Sequence, residues 1–125
     1  MNSRFTLAVG ALFGFLAVAL GAFGAHVLNP LLTENGWSAT YDLATRYMFY
    51  HALALLFVGL FNRGHEHKLL RYSAVAFSWG IILFSGSLML LSILDAPKIG
   101  MVTPVGGLFL LAGWITMLVS FVRQK

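Results

Sequence analysis

Residues 5–28 read FTLAVGALFGFLAVALGAFGAHVL, a run without a single Asp, Glu, Lys or Arg. A helix needs about 20 mostly apolar residues to cross a hydrocarbon layer of about 30 Å, and this run supplies them. The same reading recurs three times further along, over 41–61, 72–94 and 103–122. Turn-forming clusters separate the runs: Asn29-Pro30, then Asn62-Arg63-Gly64, then Asp95-Ala96-Pro97. Thr103-Pro104 predicts an N-cap followed by proline at the first helical position, opening the fourth run. None of the four alternates every second residue, as barrel strands would. The expected fold is therefore all-α: an integral membrane four-helix bundle forming a single membrane domain over 1–125.

Composition points the same way. The chain of 125 residues is 59% hydrophobic and only 10% charged, with a mean hydropathy of +0.85. A soluble domain is nearer a quarter charged, so twelve charged side chains leave too little polar surface for a water-facing exterior. There are no cysteines, which removes disulfides and thiolate chemistry together. The net charge of +4 comes from Lys and Arg scattered between apolar runs, not from a basic stripe. A nucleic-acid partner is not expected. The bilayer is the expected partner.

The basic residues also set a direction. Arg4, then Arg63, Lys68 and Arg71, then Arg123 and Lys125 fall on one side of the four spans. The other side has only Lys98, with Glu34 and Asp95, and Arg46 lies within a span. Six against one predicts both termini in the cytoplasm. The first run follows Arg4 as a signal peptide would, yet it is longer than a secretory apolar core, so an uncleaved first helix is expected.

In lipid, burial of leucine does not drive helices together; close packing at small residues and interhelical hydrogen bonds do. Gly10, Gly14, Ala17, Gly21 and Ala25 form a small-residue stripe on the first helix. Ser78, Ser85 and Ser92, with Gly86 beside them, mark the third, and Gly106 and Gly113 the fourth. Bundle seams are the expected role, since three hydroxyls that can each bond a carbonyl one turn back are thin support for a pore. Gly10, Gly14, Gly21, Gly86, Gly106 and Gly113 are thus the expected packing positions, and Thr103 with Pro104 the helix cap.

Ionisable groups inside a span are costly and count as functional candidates. The second run carries Asp42, Arg46, Tyr47, Tyr50 and His51. At about 100° per residue, Asp42 and Arg46 are about 40° apart and one turn removed, which is ion-pair spacing. His51 lies about 140° from Arg46, on the face it shares with Tyr47. The Asp42–Arg46 pair sits in the outer turns, where long side chains reach the headgroups. His51 is deeper: either it bonds a neighbouring helix, or it accepts protons or ligand. Tyr47 is expected to fill one ring nitrogen and a hydroxyl from the Ser85–Ser87 stretch the other. His26, at the end of the first span, suits capping of free carbonyls. His65-Glu66-His67 lacks further ligands nearby, so no metal site is expected. Glycine-rich phosphate loops, nucleophile elbows and H-E-x-x-H are absent; neither catalytic residues nor a cofactor is expected. Trp37, Trp79 and Trp114 fall near span ends or on lipid-facing surfaces.

Four segments carry a resemblance as well: Leu20-Gly-Ala-Phe-Gly-Ala-His26, Tyr47-Met-Phe-Tyr-His-Ala-Leu-Ala-Leu55, Leu83-Phe-Ser-Gly-Ser-Leu88 and Thr103-Pro-Val-Gly-Gly107. In order and over residues 3–122, they resemble the YgdD/YwdK-like family of small four-helix bacterial inner-membrane proteins, a domain-of-unknown-function family. The matching positions are His26, Tyr47, His51, Ser85, Gly86, Ser87, Thr103, Pro104, Gly106 and Gly107, and Arg46 is a departure. The resemblance implies a multi-pass protein of the bacterial cytoplasmic membrane and brings no reaction, substrate or cofactor. The expected function is a structural or regulatory membrane component that is not an enzyme, acting through helix packing with itself or another membrane protein. The alternative is a transporter or channel for a small solute, ion or proton that uses His51.

Overall fold

The computed structural model describes residues 1–123, so Lys125, counted above in the cytoplasmic charge, lies outside the described residues. Six α-helices follow in chain order: α1 (Ser3–His26), α2 (Asn29–Asn35), α3 (Ser38–Phe61), α4 (Lys68–Gly80), α5 (Gly86–Leu94) and α6 (Thr103–Arg123). A π-helical turn, Ile81–Ser85, joins α4 to α5 into one continuous span, and a 3-10 turn, Pro97–Met101, leads into α6. Among the described residues, four helical spans are long and apolar enough to cross a membrane. No strand occurs among the described residues.

Local chemistry explains the ends. The Asn2 side chain accepts a hydrogen bond from Phe5 N at 2.8 Å and caps α1. Asn29-Pro30 does stop the first span, but it opens a short helix where a loop was expected, with the proline in the first turn, where its missing N–H costs nothing. Gly36, at φ 77°, closes α2: its N–H bonds Thr33 O, and Trp37 N bonds Leu32 O. The fourth span corrects the expected cap. Thr103 is already helical, and the Val102 carbonyl receives the first amides, from Val105 and Gly106. The Thr103 hydroxyl instead pairs with Ser87 Oγ at 2.6 Å, and Pro104 is the second residue of the helix. An inter-span hydrogen bond has taken the oxygen that a cap would use.

The spans pack as two hairpins. The first lies along α3, the fourth along α4 and the π turn, and α3 joins the halves through α4, the π turn and α5. The second and third spans are thus central, while the first and fourth show lipid-facing side chains such as Phe15, Val18, Leu108 and Val122. At one end Ser3 N donates to Glu66 at 2.9 Å, and Arg123 lies beside His65 and His67. At the other end Trp37 Nε1 donates to Asp95 at 2.6 Å, tying the two opposite loops together. Ser3 and Arg123 thus both lie at the end that carries the 62–67 loop.

Glycine makes the seams, though not always the expected glycines. A methyl group on Gly106 would strike the Phe84 and Leu83 backbone, and one on Gly113 would stand 2.6 Å from the Phe77 ring. Gly80 is equally tight against Leu110. Between the first two spans the close approaches are Gly10 to Leu56 and Ala52, Gly24 to the Tyr41 ring, and Gly59 to Leu7. Gly14 and Gly21 touch their neighbours only at 4.0 Å. Gly86 is a correction: nothing lies within 4 Å of its would-be methyl, and it borders an apolar cleft of about 560 Å³ between the first and third spans. The π turn just before it shifts the facing register, which puts Gly106 against Phe84 and leaves Gly86 open.

Candidate functional site

His51 sits half-way along α3, 5% exposed, between the third and fourth spans. Its Nδ1 lies 2.7 Å from the Tyr47 carbonyl one turn back, and its Nε2 lies 3.0 Å from Trp114 Nε1 on α6. An indole N–H can only donate. Nε2 is therefore the acceptor, and the proton sits on Nδ1, where it bonds the Tyr47 carbonyl. The neutral imidazole has one donor and one acceptor, and both are used.

Rings close around it. Phe77 of α4 packs 5.6 Å from His51 and 5.1 Å edge-on from Trp114. Tyr47 stacks on Phe84 of the π turn at 5.0 Å and lies 5.9 Å from both His51 and Tyr50. Such pairs contribute about 0.5–1.5 kcal/mol each beyond their burial. The extra residue of the π turn brings Phe84 to Tyr47, and turns of this kind are frequent at functional sites. One flank is open: a groove of about 580 Å³ runs between α3 and α6 from Pro104 to Trp114, with Phe84 and His51 along its floor.

One expectation is corrected here. Tyr47 occupies one ring nitrogen, through its backbone carbonyl, but the second partner is Trp114, not the Ser85–Ser87 stretch. Ser87 Oγ donates to Phe84 O at 3.0 Å and pairs with Thr103, while Ser85 is wholly buried with its hydroxyl unpartnered among the described residues. Trp114 is half exposed to lipid, yet its N–H turns inward. Its depth was the available signal, since it stands about as far along α6 as His51 stands along α3.

The other polar residues lie elsewhere. Arg46 Nε and Asp42 form an ion pair at 2.9 Å on an exposed face, and the two ring nitrogens of His51 are held by Tyr47 and Trp114 instead. His26 is exposed in the last turn of α1. Glu66 holds the start of α1, and Asn62 accepts from His67 N at 2.6 Å. Among the described residues no group of three or more His, Asp or Glu is placed to hold a metal.

Comparison with known proteins adds a family. Residues 20–107 match a family model described as "Protein of unknown function (DUF423)". Over 127 aligned residues the chain is 42% identical to the UPF0382 inner membrane protein YgdD of Escherichia coli (strain K12), covering 100% of this chain and 95% of that protein. A UPF0382 membrane protein of Staphylococcus epidermidis is 34% identical, covering 92% of this chain and 93% of its own. One from Staphylococcus aureus is 36% identical, with 90% of each covered. No solved structure matches.

Proposed function

We propose, for a chain that belongs to the DUF423 (UPF0382) family of multi-pass bacterial inner-membrane proteins, that it is a structural or regulatory component of the membrane and not an enzyme. It works through helix packing, its partners being the bilayer and a second copy or another membrane protein. Both termini face the cytoplasm in this reading, on the six-to-one count of basic residues.

The observation that carries the proposal is the saturation of His51. A proton carrier must release and regain its proton, and here each ring nitrogen is held by a protein group. Protonating Nε2 would set two N–H donors against each other at 3.0 Å and lose the link to α6. His51 and Trp114 therefore act as a clamp between the second and fourth spans. Interhelical hydrogen bonds in membranes average about 0.6 kcal/mol and reach about 1.7. The clamp is modest alone and adds to the ring contacts around it.

The second reading, a transporter for a small solute, ion or proton at His51, has one observation in its favour: the groove that reaches the ring from the lipid side. Reconstitution separates the two. Wild type, His51→Gln and Trp114→Phe are placed in proteoliposomes with an imposed pH gradient, and each is melted in mild detergent. The clamp reading expects equal, slow decay of the gradient for all three and lower melting temperatures for both variants. Rapid decay with wild type that is lost in a normally folded His51→Gln would overturn it.

A further inference from the structure

At the end where the 62–67 loop enters α4, a recess of about 670 Å³ opens between the third and fourth spans. His65, His67 and Lys68 line it where the loop enters α4, Leu69 and Tyr72 continue it along that helix, and Arg123 closes it from α6. None of its described lining residues is acidic. Glu66, the one acidic side chain of the loop, is engaged with Ser3 N instead. α4 begins here without a side-chain cap or an acidic residue in its first turn, so the positive end of its dipole adds to the same field.

We infer that this recess binds the headgroup phosphate of an anionic phospholipid. Lys68 and Arg123 stand at span ends, the level of the headgroups, and Arg presents a planar fork that suits phosphate oxygens. The histidine rings offer further N–H donors. Leu69 and Tyr72 lead from the basic mouth along the membrane-facing surface of α4, Tyr72 being 54% exposed. That apolar continuation fits the first methylenes of an acyl chain and gives a free phosphate nothing to contact. Basic recesses between spans are a known mode of anionic-lipid recognition.

The test uses the full chain purified in mild detergent, titrated with phosphatidylglycerol or phosphatidylcholine and read by native mass spectrometry. Each basic side chain near an anionic headgroup contributes roughly fivefold in affinity. Lys68→Gln with Arg123→Gln should therefore weaken phosphatidylglycerol binding about 25-fold. Arg4→Gln with Arg63→Gln removes the same charge at the same end but outside the recess, and should stay within about threefold of wild type. All four side chains are exposed, and unchanged melting temperatures verify that both double variants fold. Equal losses in the two double variants, equal binding of the two lipids, or inorganic phosphate binding as tightly as phosphatidylglycerol would each overturn the assignment.

Discussion

Replacing Gly106 by Ala and Gly86 by Ala should move stability in opposite directions, although both glycines are helical and membrane-embedded. On Gly106 the new methyl would stand 2.7 Å from Leu83 C and from Phe84 Cα, and nearer still to Phe84 N. Ordinary contact begins at 3.4 Å, so the fourth span must retreat by at least 3.4 − 2.7 = 0.7 Å. The obstacles are backbone atoms, which cannot swing aside as a side-chain tip can. Overpacking of this kind costs about 1–3 kcal/mol, which corresponds to a melting temperature lower by on the order of 4–12 °C. On Gly86 the methyl meets nothing within 4 Å, and only the gain from replacing a helical glycine remains, about 0.5–1 kcal/mol. Thermal unfolding of the purified variants in one detergent, followed by far-UV circular dichroism, reads both shifts. If Gly106→Ala melts at or above wild type, or if Gly86→Ala loses as much as Gly106→Ala, the seam between α6 and the π turn has been placed wrongly.

Ser73 and Ser85 should also differ. Ser73 Oγ donates to Gly113 O at 2.8 Å across the third and fourth spans, so Ser73→Ala should cost about 0.6–1.7 kcal/mol in the same melting assay. Ser85→Ala removes a buried hydroxyl without a partner among the described residues and should be neutral or stabilising; a loss as large as that of Ser73→Ala would show that Ser85 is bonded. For topology, a reporter joined to the C-terminal end and another inserted at Gly36 should signal from opposite sides, with the C-terminal one in the cytoplasm. A C-terminal reporter active outside would reverse the orientation.

Much of the fold was legible because its signals are one-dimensional. A span is a length of apolar chain, and Asn62-Arg63-Gly64 or Asp95-Ala96-Pro97 interrupts it wherever helices pack. Three features depend on register between spans, which periodicity along one helix does not carry. The π turn over Ile81–Ser85 has no mark in Ile-Ile-Leu-Phe-Ser, yet it decides that Gly106 is tight and Gly86 open. Gly24, Gly59 and Gly80 make close approaches that spacing on their own helices did not single out. His51 stood out by its depth, but Trp114 became its partner only once the fourth span was set beside the second at equal depth. The segment after the first span differed for a local reason: Asn29-Pro30 ends one helix and starts another, and a stop signal alone does not say which.

In the proposed reading His51 is a neutral clamp with its proton on Nδ1. Nitrogen-15 magnetic resonance of histidine-labelled protein in lipid bilayers at neutral pH, with His51→Gln used to assign the signal, reads this directly. The expected spectrum has a protonated, pyrrole-type Nδ1 and an unprotonated, pyridine-type Nε2 whose shift changes in Trp114→Phe. A proton on Nε2, a doubly protonated ring, or an Nε2 shift indifferent to Trp114→Phe would contradict it.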